Sequence, residues 1–457
     1  MKPDTKTLGH TESIPWDELP ADLMVRAVRE ILGTRESPGV MPTVKVVNVS
    51  LGDPMAQFDT MPSAWARALD WLSHEYNVLF IVSAGNHTGP LNYGITGDEL
   101  KLLSTDDRDR LTAEVLAAGS PSRRLLSPAE SLNSITVGAL HSDAAGDTFP
   151  LGYRLDLWGT AGHPSPVTAH GRGIRRAVKP DVAIAGGRKL YDELHGQAAG
   201  SFAPSRGEAF PPGVKVAAPP DKVAFTSGTT FAAAEVARRA ARIIDSVSQG
   251  EQPIDERFAA VAAKALIVHG AVRPSGQPYG MPSDRLVGNG MLQRDLAAGC
   301  LPTQATLLAA ADIGPRECVE IVVPFPHGLA ASTEIRRISM TLAWISPINW
   351  NHRQYRRAKL TIEGPSEIPS GANVRTNVGT SFVLSQRGTV EHRVFETSSA
   401  LSSDRLTFKV ACSAQAGGLA GVVPFALAVS LEVGAHVSLD VYELVREELR
   451  VRQRVVP

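Results

Sequence analysis

Three cysteines, Cys300, Cys318 and Cys412, are all that this 457-residue chain contains. They lie far apart and are odd in number, which excludes a disulfide framework and fits a reducing compartment. No C-x-x-C and no H-E-x-x-H pair is present, so no metal centre and no cofactor are expected. No apolar run approaches the roughly 20 residues that span a bilayer. Met1 to Pro20 is polar and has no signal-peptide core, which makes a cytoplasmic location the expectation. An excess of one charge is lacking too. Lys plus Arg number 46 and Asp plus Glu 47, a net charge of -1, so neither nucleic acid nor an anionic membrane is an expected partner. What is plentiful is apolar residues, 43% of the chain. At this length they suffice for two packed cores.

The pattern of those residues divides the chain. A polar tail occupies residues 1–19. From Pro20 to Leu32, the residues Leu23, Met24, Ala27, Val28, Ile31 and Leu32 form one stripe at helical spacing, with Gly33 as a stop. Val44 to Val49 reads as a nearly continuous apolar strand, followed by a helix over about Ser63 to Glu75. Val78 to Val82 is a second buried strand. A helix starts near Asp106 and stops at Gly119, and Ser134 to Val137 is a third strand. Such alternation of apolar strands with helices predicts an α/β fold, a parallel sheet covered on both faces, over residues 20–297. Beyond Ala297 the period changes to two. Ile338, Met340, Leu342 and Trp344 alternate with polar residues, as do Leu406, Phe408, Val410 and Cys412. The series Phe425, Leu427, Val429, Leu431 and Val433 repeats this, with Lys359–Ile362 and Val390–Phe395 as further strands. Residues 298–457 therefore read as an all-β sandwich with almost no helix. Cys412 falls on its inward phase, as core filling.

Four segments carry chemical information. They are Val46-Val47-Asn48-Val49-Ser50-Leu51-Gly52, Val82-Ser83-Ala84-Gly85-Asn86, Ser134 to Ala139 with Lys179-Pro180-Asp181-Val182, and Gly228-Thr229-Thr230-Phe231-Ala232-Ala233. In this order, and each on the expected element, they resemble the subtilase family of serine endopeptidases. The resemblance implies peptide-bond hydrolysis on a peptide or protein substrate. Asn86 would be the oxyanion-hole donor and Thr230 would occupy the nucleophile position. Ser50, Leu51 and Gly52, with Ala84 and Gly85, would contact substrate. A preorganised donor such as Asn86 is worth about 3–4 kcal/mol to a tetrahedral oxyanion, a magnitude measured on a subtilisin. The helix after Thr230 would aim its positive end at the reacting carbonyl.

Two departures qualify the implication. Threonine replaces serine at position 230, and its extra methyl restricts χ1 and crowds an acyl intermediate. The family's order is also Asp, then His, then Ser, yet the 43 residues before Val44 contain neither D-[ST]-G nor H-G-[TS]. His10 lies in the polar tail, while His170-Gly171 and His195-Gly196 come too late in the chain. The expectation is a subtilisin-like sheet without its N-terminal strands, inactive as an isolated chain. Three explanations stay open: a truncated gene product, a split protease completed by a partner chain, and a pseudoprotease that binds peptide or protein. Several residues have structural readings beside the functional ones. Thr229 or Thr230 would cap the following helix, His87 would face solvent, and Asp53 and Asp181 would fix loops. Thr105 to Arg110 would begin a helix and not a calcium loop. If the N-terminal strands are missing, Val44–Val49 should form an open edge of the sheet.

Overall fold

The computed structural model describes residues 14–454 except 16, 147–150, 196–199, 206–208, 219–220, 251–252, 274–282, 295–300, 331–333, 369–373, 377–384, 400, 402, 435–436 and 438. His10, Gly196 and Cys300 lie outside the described residues. The first helix, α1 (Pro20–Leu32), begins with proline, whose missing N–H costs nothing in the first turn, and buries Met24 and Val28. It packs on α2 (Ala64–Tyr76), which Ser63 caps by accepting the Ala66 amide at 3.0 Å.

Strands β1 (Val46–Val49), β2 (Leu79–Ser83), β3 (Ile135–Leu140) and β4 (Val182–Ala185) run parallel in that order. The sheet continues through β6 (Met291–Leu292) to β5 (Ala271–Val272), which pairs antiparallel. Every residue of β2 is buried, because helices cover both faces of the sheet. Side-chain alternation sends Phe80 and Val82 toward α1 and α2. Leu79 and Ile81 join the core beneath α5 (Thr229–Gln249) and α6 (Ala259–His269). β1 pairs with β2 alone among the described residues. It is therefore an edge strand, half-buried at Val46 and Val47 and exposed at Asn48.

Two short helices, α3 (Gly97–Leu102) and α4 (Thr105–Ala118), follow β2. Ser104 caps α4 by accepting the Asp107 amide at 3.2 Å, so the acidic run from residue 105 is a helix start. Cys318 opens one sheet of a sandwich. That sheet orders β8 (Cys318–Pro324), β13 (Arg405–Ala414) and β10 (Ala358–Glu363). The facing sheet orders β7 (Gln304–Ile313), β14 (Val423–Val433), β9 (Arg336–Trp344), β12 (Val390–Thr397) and β11 (Val374–Thr376). The period-two residues of β9, β13 and β14, Cys412 included, fill the core between the sheets. Helices are less scarce here than the pattern predicts. Besides α7 (His327–Ala330), an amphipathic helix α8 (Val441–Arg454) packs on the sandwich through Val441 and Val445.

The opposite phase of the five-stranded sheet is not a solvent face. Ala343 of β9 and Ala426 and Ala428 of β14 belong to the same core as α6. Small side chains there let the helix approach closely, and all eleven residues of α6 are buried. α6 therefore lies between the parallel sheet and the sandwich, which explains its lack of a polar face.

Candidate active site

Parallel strands all end on one side, so their outgoing loops converge, and ligands in α/β sheets bind there. Asn86 leaves β2, and Gly228-Thr229-Thr230 enters α5, at this edge. Asn86 Oδ1 accepts the Thr229 amide at 2.9 Å and the Thr229 hydroxyl at 3.1 Å. Those two donors fix which way the amide points. Nδ2 is left without a hydrogen-bond partner among the described residues, on a half-buried side chain. A free N–H2 so oriented is the arrangement that an oxyanion donor requires.

Two glycines make the geometry attainable. Gly228 has φ +152°, and a Cβ there would sit 2.8 Å from Asn86 Nδ2. Gly85 has φ +105°, and a Cβ would lie 2.6 Å from the Leu126 side chain. Both positions combine a backbone that L side chains rarely adopt with an occupied Cβ direction. Gly85 N–H in turn donates to Thr229 Oγ1 at 3.2 Å. Thr229 is thus the fully buried hinge between the two segments. This role was missed in the sequence, where position 229 reads only as a cap.

The helix is not capped by threonine. Gly228 is the N-cap and makes no side-chain cap bond; Thr229 and Thr230 stand inside the first turn. Thr229 spends its hydroxyl on Asn86 instead. Thr230 is half-buried, and its carbonyl accepts the Ser50 hydroxyl at 2.9 Å. Asn48 Nδ2 donates to Ser50 Oγ at 2.9 Å, so the end of β1 is tied to the first turn of α5. Leu51 is half-buried in the core below α1 and α2, while Gly52 is exposed. Ala84 gives its amide to Val137 and takes the Leu126 amide on its carbonyl. The Gly85 carbonyl accepts the Ala169 amide. The main chains of residues 84 and 85 thus already bond within the protein, and the open main chain belongs to β1 and residues 50–52.

No histidine or carboxylate hydrogen-bonds Thr230 Oγ1 among the described residues. His87 is half-buried, and its Nε2 meets the Arg124 carbonyl at 2.8 Å. Burial lowers its pKa. His170 is buried beside it, with Nδ1 3.1 Å from the Thr168 carbonyl and Nε2 unpartnered. Burial, partly offset by that bond, takes its pKa down to about 4. His195 is exposed in a turn. Asp181 Oδ2 accepts the Thr136 amide at 2.7 Å and Lys179 Nζ at 2.6 Å, and so locks β4 to β3. Asp53 begins a short strand, Asp53–Gln57, and is no loop residue; it accepts the Met55 amide at 2.8 Å. Among the described residues no group of three His, Cys, Asp or Glu side chains could hold a metal ion, and no helix is long and apolar enough to cross a membrane.

An edge of parallel strands, a glycine-framed asparagine amide and a hydroxyl in the first turn of a long helix thus meet at one side of the sheet. The chain belongs to the subtilase family, whose sequence profile matches residues 22–297. Its similarity to the uncharacterized protein y4bN of Sinorhizobium fredii (strain NBRC 101917 / NGR234) is 28% identity over 331 residues, 68% of this chain and 69% of that protein. Among solved structures it is similar to the prenylagaramide maturation protease PagA, at 18% identity and a TM-score of 0.35, over 63% of this chain and 68% of that one. It is also similar to the patellamide maturation protease PatA, at 17% identity and a TM-score of 0.34, over 61% and 67% of the respective chains.

Proposed function

We propose that this chain carries the substrate strand, oxyanion donor and nucleophile position of a subtilisin-like endopeptidase, and that it cleaves no peptide bond unaided. The observation that carries the reading is the Asn86 amide. Thr229 holds its oxygen, which leaves Nδ2 free near a helix N-terminus. That is the disposition that stabilises a developing oxyanion. Among the described residues the hydroxyl of Thr230 has no general base, and triad members act as a unit, so lacking one forfeits most of the rate. The histidine and its carboxylate would come from a polypeptide segment outside the described residues, upstream in the gene or on a partner chain. The open side of β1 is where a further strand would join the sheet. A peptide or protein substrate would lie along residues 50–52.

A second reading, a pseudoprotease that binds peptides without cutting them, draws support from the methyl group at position 230. The purified chain should leave casein and fluorogenic peptides intact. Turnover that vanishes in Thr230→Ala would overturn the proposal. If a segment carrying Asp and His is supplied, Thr230→Ser should raise the rate, because the hydroxyl stays and the methyl goes. A serine variant no faster than the parent would give the site to binding.

A further inference from the structure

The peptidase-like part and the sandwich together line a cavity of about 230 Å³, formed by Arg175, Arg356, Lys359, Gln386, Arg387 and Gln415. Four of these six residues are cations and none is an acid. None of the four forms an ion pair among the described residues, where other arginines do, as in Arg26–Glu18, Arg188–Asp143 and Arg446–Glu443. Arg356 is nine-tenths buried and stacks 5.6 Å over the Trp344 ring. Its guanidinium is held only by neutral acceptors: the carbonyls of Gln386 at 2.9 Å, Arg387 at 3.2 Å and Gly388, and Gln415 Oε1 at 3.3 Å. Lys359 Nζ reaches Gln386 Oε1 at 3.3 Å.

The opposing wall has an unusual backbone. Arg175 and Arg176 both take left-handed φ, +55° and +67°. Two consecutive non-glycine residues in that region are costly, and such strain clusters at functional sites. Arg353 stands near Arg175 as a further cation. Burial, and then Arg175 and Arg387, bring Arg356 down to about 10. Glu391, an acid whose charge acts on Arg356 and Lys359, is engaged with Arg393.

Like charges gathered in a partly desolvated cavity repel one another, and native proteins keep such arrangements where a counter-charge binds. We infer that this cavity is a binding site for a compact phosphoryl anion. Arg356 and Lys359 form its fixed floor, and Arg175 and Arg387 are the movable donors. The volume falls below the roughly 300–1,000 Å³ of pockets for drug-sized ligands. It therefore suits inorganic phosphate, pyrophosphate or the head of a small phosphate ester. Arginine forks match the tetrahedral oxygens with paired N–H donors. The site is independent of the peptidase reading.

The test uses the full chain in chloride buffer of matched ionic strength. Inorganic phosphate and pyrophosphate are titrated by calorimetry and by thermal unfolding. The expected result is saturable one-to-one binding of pyrophosphate with a raised Tm. Arg387→Gln and Arg175→Gln remove side chains that make no hydrogen bond or ion pair among the described residues, so the fold should survive. Each should weaken binding at least about tenfold, the scale of one charge-assisted bond. Arg257→Gln, on the surface, should bind like the parent. Absence of saturable binding, or equal binding by all variants, would overturn the proposal. So would binding of an acidic peptide such as oligoglutamate with none of either phosphate.

Discussion

Thr229 Oγ1 stands between two partners, giving its proton to Asn86 Oδ1 and taking the amide proton of Gly85. With the side chain fully buried, neither bond can be replaced by water. Thr229→Val keeps the shape but leaves the Gly85 N–H without an acceptor, which should cost about 1–3 kcal/mol. Thr229→Ser keeps both bonds and loses one methyl, about 0.8 kcal/mol. Urea unfolding of the two variants should show valine as the worse. Equal midpoints would mean that the hydroxyl does not hold the segment. At this scale the sequence was informative about what motifs display and silent about what long-range pairs do. Asn86 and Gly228 stand in recognisable strings. The bond from Tyr355 hydroxyl to Asp70 Oδ2, at 2.7 Å, joins residues 285 positions apart, and nothing local to either announces it.

The strands that were legible are those whose surroundings repeat. β2 is apolar throughout because both faces are covered; β13 alternates because one face meets the sandwich core, and β9 and β14 alternate because their other face meets α6 through small and polar side chains. What escaped has no such contrast. α6, Ala259–His269, has no polar side from which a helical period could be read. β7, with its run of alanines at Ala309, Ala310 and Ala311, has β-branched residues only toward its ends, at Thr306 and Ile313. The open edge of β1 was legible through the resemblance alone, which implies neighbouring strands that the residues before Val44 do not supply. Leu79 N–H bonds the Lys45 carbonyl at 2.9 Å, and parallel pairing alternates. Val47 and Val49 therefore face β2, while Val46 and Asn48 turn their main-chain groups outward. Such an edge invites another strand. The chain should self-associate at high concentration, and Asn48→Pro should suppress this, because the lost N–H points away from β2. Multi-angle light scattering decides the matter; identical mass distributions for parent and variant would clear β1 of the association.

Across the whole molecule, α6 ties the parallel sheet to the sandwich, and Lys264 lies at its centre. Its ammonium is wholly buried and donates to the Asn133 carbonyl at 2.8 Å and Thr389 Oγ1 at 2.7 Å. Burial, chiefly, draws its pKa down to about 7; nearby Asp181 and Asp70 oppose the shift. An unfolded chain would hold that proton up to its ordinary value near 10.5. Between about pH 7 and 9 the unfolded state therefore binds one proton more than the native state. Stability should rise with pH across that window, with a limiting slope of about 1.4 kcal/mol per pH unit. The buried carboxylates Asp70, Glu130 and Glu391 are raised from ordinary values near 4, and the histidines His170 and His269 are lowered to about 4 and 3. The histidine windows lie below pH 7, and the raised carboxylates act in the opposite sense to Lys264, losing stability as pH rises. Cys412, pushed up to about 11 from 9, acts only above pH 9. Lys264→Met removes the titrating group while keeping a chain of similar length in the seam. Urea midpoints at pH 7, 8 and 9 should climb for the parent and stay level for the variant. Parallel curves would show that the ammonium keeps its proton in the folded seam, held by its acceptors on the 132–133 loop and Thr389 against the cost of burial.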